Sequence, residues 1–108
     1  MPLIMPLDDN GHVIPTAAFK YRGTQKLDVS NSSVRNVLPI DFDIRLVTIV
    51  ATGPVYFEVG GDSVDAVANG SPFLMAGQYM DVPLTADKRH IAFLAADADC
   101  AAYVIGRI

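Results

Sequence analysis

From position 25 onward, apolar and polar residues alternate along most of the chain. The alternation is cut at short intervals by glycine, proline, asparagine and aspartate. A period of two marks a strand with one buried face. The clearest case is 44–51, rich in the β-branched residues that suit a pleated surface. One of its faces carries Ile44, Leu46, Thr48 and Val50, the other Arg45, Val47 and Ile49. Both faces are mostly apolar, so this strand is expected in the middle of a sandwich or beneath a subunit contact.

The same pattern predicts further strands. Short ones are expected over 26–30 and 34–39, separated by the turn residues Asn31, Ser32 and Ser33. Thr52-Gly53-Pro54 joins 44–51 to 55–59 as a hairpin, with Val55, Phe57 and Val59 on one face. Gly60-Gly61-Asp62 breaks the pattern, and 63–70 reads as a small, polar loop. A short strand is expected at 71–75 and another over 78–84, where Pro83 marks an edge. The last two span 88–95, with Ile91 and Phe93 on one face, and 100–108, with Ala102 and Val104 opposite Tyr103 and Ile105.

No window of helical length shows a 3.6-residue stripe. Seven or eight short antiparallel strands with turns about every ten residues predict an all-β fold, a β-sandwich or jelly roll. The first 22 residues differ: Pro2, Pro6 and Pro15 disfavour both helix and central strand, and Asp9-Asn10-Gly11 is a turn signal. They are read as an extended, proline-rich arm (1–22) ahead of a sandwich domain (23–108).

The 108 residues suffice for one domain. With 51% hydrophobic and 19% charged residues, the composition is globular rather than disordered. A net charge of −4, with eight Lys and Arg scattered along the chain, does not make the basic stripe that nucleic acid requires. The tightest basic cluster is Lys88-Arg89-His90. No apolar run is long enough for a membrane helix, and the first residues do not read as a signal peptide.

Candidate chemistry is sparse. His12 and His90 are far apart, and no His-x-His or Cys-x-x-Cys pair offers a transition-metal site. Asp41 and Asp43, Asp97 and Asp99, and Asp62 and Asp65 are oxygen donors at turns; aspartate favours turns for its own reasons, and no calcium-loop pattern is present. Cys100 lies in an alternating strand, as a small core residue would. No nucleophile elbow or phosphate loop appears. No catalytic residue, metal ligand or cofactor is therefore assigned, and the chain is expected not to be an enzyme. Tyr56 and Tyr79 point away from the apolar faces of their strands. Tyrosine is enriched in interfaces, so both are candidate interface residues, together with Val47 and Ile49 of the two-faced strand.

Three segments carry a resemblance: 27–39 (LDVSNSSVRNVLP), 45–60 (RLVTIVATGPVYFEVG) and 71–83 (SPFLMAGQYMDVP), the last followed by His90-Ile91-Ala92-Phe93-Leu94. In this order they resemble small β-sandwich virion proteins of tailed bacteriophages and gene-transfer particles, of the capsid-decoration, cement or head-spike-base type. Those proteins often carry alanine where this chain has Asn36. The similarity spans about 25–108 and leaves the arm outside. It implies a structural protein of the virion, made in the bacterial host cytoplasm and placed on the capsid surface. The implied partners are further copies of the chain in a homo-oligomer (a trimer is one option), the major capsid protein and, as a further candidate, a fibre protein. The alternative is a carbohydrate- or receptor-binding β-sandwich module of a fibre or adhesin, suggested by the loop 60–70 and the tyrosines.

Overall fold

A computed structural model describes residues 19–108. Residues 1–18 of the expected arm lie outside the described residues. Positions 19–22, which the sequence reading placed in the arm, belong to the first strand.

The described chain is all-β, with eight strands. They are β1 (Phe19–Val29), β2 (Val34–Arg35), β3 (Leu46–Ala51), β4 (Val55–Gly60), β5 (Phe73–Leu74), β6 (Met80–Pro83), β7 (His90–Ala95) and β8 (Cys100–Arg107). Two four-stranded antiparallel sheets form, in the orders β1-β8-β3-β6 and β2-β7-β4-β5. Strand four pairs with five, three with six, two with seven and one with eight, as in one long ribbon wound upon itself.

Between the sheets lies one core. The first sheet contributes Val29, Val47, Ile49, Ala51, Val82, Ala102 and Val104; the second contributes Val55, Phe57, Leu74, Ile91 and Phe93. Each inward set follows the strand alternation, so hydrophobic patterning fixes which face of each strand turns inward. Gly106 continues the inward row of β8, where the Ile44 side chain passes so close that a Cβ would lie 2.5 Å from its Cδ1. Gly77, in the turn before β6, has φ 75°, in the left-handed region that glycine tolerates.

Sequence alternation missed two features of β1. A bulge falls between Phe19 and Thr24, where the register to β8 shifts, and Arg22 adopts a positive φ of 55° within it. From Thr24 to Val29 the strand pairs regularly with Ile105 to Cys100.

The strand expected over 34–39 stops at Arg35 because Asn36 turns inward. The Asn36 amide donates to the carbonyls of Leu38 (2.6 Å) and Arg89 (3.2 Å), and its Oδ1 accepts from the Ile91 amide (2.9 Å). This buried side chain substitutes for ladder bonds that β2 no longer makes.

Arg89 is a second anchor. Although it falls in the basic cluster of the sequence, it is buried. Its guanidinium donates to the carbonyls of Ile40 (3.2 Å), Ile44 (2.7 Å), Thr85 (3.4 Å) and Asp41. Phe42 covers it, 5.0 Å from ring centroid to Cζ. The loop 36–45 is thereby held over one end of the sandwich.

Candidate functional site

The two sheets present different outer faces. On the second sheet, Ala92 points away from the core, in register between Arg35 and Glu58. It is nonetheless fully buried, because the loop 61–71 lies across it. The loop is fastened at both sides. The Ala66 amide donates to Ser33 Oγ (2.9 Å), Arg35 bonds the Val64 carbonyl and Asp65 (both 3.4 Å), and Ser71 Oγ donates to Glu58 (2.9 Å). The chain covers the middle of this face itself and leaves Phe73 exposed at the β5 edge.

On the first sheet the outward row of β3 is Leu46, Thr48 and Val50, paired in register with Arg107, Ile105 and Tyr103 of β8. At one end the surface is polar: Thr48 Oγ1 donates to Asp81 Oδ1 (2.5 Å), and Arg107 lies 3.4 Å from the same carboxylate. At the other end Thr24, Val50, Ala51, Thr52, Gly77, Tyr79, Tyr103 and Ile105 surround a shallow, open and mainly apolar depression of about 530 Å³. Tyr79, 68% exposed, stands at its rim. Within the described chain, no segment is laid over this depression as 61–71 is laid over the other sheet.

The four expected interface residues separate on this framework. Tyr79 lies at the depression. Tyr56 lies on the outer face of the other sheet, half-buried, with its ring edge-on to Phe73 at 5.5 Å. Val47 and Ile49 are 0% exposed and belong to the core, so their assignment to an interface is corrected. In the sequence both rows of this strand are mostly apolar, and nothing local decides which of them turns inward. Arg45 precedes the first residue of β3 and is not bound by its alternation. On β3 the row that reaches the outer face is the opposite one, with Val50 half-exposed beside Tyr103 and Ile105 of β8. Their signal was the second apolar face of the last strand.

No family model, curated protein or solved structure matches the chain. The function is therefore argued from the two outer faces and the remaining polar groups.

Asp41 and Asp43, considered above as cation donors, converge on Lys20 Nζ at 2.8 Å each. Among the described residues, no cluster of three His, Cys, Asp or Glu side chains could hold a metal ion. The Cys100 thiol is pushed up by burial, with the Asp99 charge adding and a backbone bond from Gly53 opposing. Its side chain packs, partly buried, against the core.

The Lys20 triad yields a pH prediction. Hydrogen bonds to Asp41 and Asp43 raise the Lys20 pKa, and the bond from Lys20 lowers that of Asp43. A lowered folded-state carboxyl stabilises above its unfolded value, about 3.9, and that contribution fades as pH falls through the folded value. The raised amine contributes below its unfolded value and loses its effect as pH rises through the folded one. Lys20→Met should therefore lower stability modestly at pH 7 and make the loss on acidification from pH 5 to pH 2 shallower. The effect is small because the groups are exposed. Urea unfolding at pH 7 and pH 3 checks it; a pH response identical to wild type would contradict it.

Proposed function

We propose that this chain is a structural subunit of a phage-like particle, seated on the capsid exterior through the outer face of its β1-β8-β3-β6 sheet. The observation that carries the reading is the asymmetry between the sheets: the middle of one outer face is covered by the chain's own loop, whereas among the described residues nothing is laid over the apolar depression of the other, with Val50, Tyr79, Tyr103 and Ile105. Apolar surface of this kind gains about 25 cal/mol per Å² on burial, and clustered tyrosines are typical of protein contacts. The role is mechanical, with no catalytic step.

Two further points support the setting. The three segments that resemble decoration and cement proteins include 45–60, which supplies all of β3 and β4. The pairing of one with eight, two with seven, three with six and four with five is, we infer, jelly-roll winding, an architecture used by capsid domains and also by lectins and cupins. The winding alone does not choose among these.

The lectin-like alternative draws on the exposed Tyr79 beside the depression. It loses the other features that suggested it: the loop 61–71 is tied to its own sheet, and Tyr56 packs against Phe73.

The test uses empty heads assembled from the major capsid protein of the proposed particle. Wild-type chain should co-sediment with the heads to saturation. Val50→Lys and Tyr103→Glu should each weaken binding at least about tenfold while leaving the circular dichroism spectrum unchanged. Absence of co-sedimentation, or variants that bind as wild type does, would overturn the proposal.

A further inference from the structure

We propose that two copies of this chain pair through the open edge of β1, in antiparallel register about a two-fold axis at Leu27, joining their first sheets into one eight-stranded sheet. The inference deepens the oligomeric part of the reading above and rests on it only for the use to which the joined surface is put.

Strand edges are where backbone donors and acceptors await a partner, and most proteins blunt them. Three of the four edges here are blunted. β2 and β5 are two residues long, and β6 ends in Pro83, which has no N–H. β1 is different. Among the described residues it pairs only with β8, and from Thr24 to Val29 it is regular and free of proline. Among the described residues, none makes a backbone hydrogen bond to this stretch from the open side.

Side-chain chemistry selects the occupant and the register. Residues opposite each other across an antiparallel pair share a face, so a join that keeps both cores on one side must centre on a residue. Centring on Lys26 would oppose two lysines, and centring on Asp28 two aspartates; like charges directly opposite are destabilising. Centring on Leu27 places Lys26 of each copy opposite Asp28 of the other, twice by symmetry. It also places Leu27 against Leu27 on the core face, and Gln25 against Val29. The charges are available for this: Lys26 and Asp28 share the outer face, and Asp28 keeps 95% of its side-chain surface exposed despite the Lys26 ammonium 3.8 Å away. A lone edge lysine would repel its own copy, whereas Lys26 with Asp28 two positions on is self-complementary. The bulge before Thr24 limits the pairing to 25–29 and turns the start of the strand aside. The joined sheet sets two Tyr79–Tyr103 depressions side by side.

Charge reversal and charge exchange in the full chain provide the test, read by sedimentation equilibrium. Lys26→Glu and Asp28→Lys should each weaken the dimer about tenfold, because two attractive pairs become two repulsive ones. The double variant, Lys26→Asp with Asp28→Lys, should return the dissociation constant to within about threefold of wild type. All four positions involved are solvent-facing in the two copies, so the fold should persist, with circular dichroism as the check. A chain that stays monomeric, a dimer indifferent to the single reversals, or a double variant no better than the singles would overturn the pairing. Head binding by a monomeric chain would sink this inference alone; a charge-sensitive dimer that ignores heads would sink the docking reading alone.

Discussion

Phe93→Ala is expected to destabilise the chain by about 4 kcal/mol. The ring is 0% exposed and lies in the middle of β7, in register between Phe57 of β4 and Val34 of β2. It projects from the second sheet into the core that it shares with Val47, Ile49 and Val104 of the first. Truncation removes the ring's transfer free energy and leaves a cavity that two hydrogen-bonded sheets can close only partly. Against a total of about 5 to 15 kcal/mol for a domain of this kind, the variant would be marginally folded. The chain has no tryptophan, so urea unfolding is best followed by far-ultraviolet circular dichroism. The midpoint should fall by about 2 M, and a shift of a few tenths of a molar would mean that Phe93 is not central to the packing.

Arg89→Met should cost about 3 kcal/mol for a different reason. Methionine fills much of the same space but donates nothing. The carbonyls of Ile40, Asp41, Ile44 and Thr85 would all lose this donor, and an unmet buried carbonyl is expensive. Opening the loop 36–45 to water would recover part of the loss, which keeps the figure near the lower end for buried charged networks. Arg89→Lys should recover less than half, because one ammonium cannot span carbonyls placed around a planar fork. Amide exchange gives the sharper reading. The amides of Ile40, which bonds the Arg89 carbonyl, and of Ile44, which bonds that of Asp41, should exchange faster in Arg89→Met, while those of β8 stay protected. Uniform acceleration across both sheets would mean that Arg89 supports the whole fold rather than this loop.

The strands were legible in the sequence because they obey a local rule. Period-two alternation located β3, β4, β7 and β8 to within one or two residues and grouped Ile91 with Phe93, and Ala102 with Val104, on faces that the structure turns inward. The rule was insufficient where both faces of a strand are apolar. In β3, Val47 and Ile49 face inward and Val50 outward, and only the opposing sheet decides between the two rows. Arg45, grouped with Val47 and Ile49 in the sequence, stands just before the strand begins and does not decide between them. Arg89 and Asn36 were illegible for another reason. Arg89 reaches carbonyls up to 49 positions away, and Asn36 bonds the Ile91 amide 55 positions on, so no local pattern records either role. The bulge at Arg22 similarly hid the first part of β1, since a residue with positive φ interrupts the alternation.

The docking face was half-legible. Tyr79 and the outward pair Tyr103 and Ile105 could be read as facing away from the core, but their convergence on one depression depends on β8 lying beside β3. Covering of the other sheet by 61–71 could not be read at all, because that loop is small and polar and shows no periodicity.

The most direct test of this account is a density map of the assembled particle at side-chain resolution. The account expects protein density from another chain packed against Val50, Tyr79, Tyr103 and Ile105, with the loop 61–71 turned away from the contact. A subunit attached through that loop, its tyrosine-lined sheet left bare to water, would contradict it.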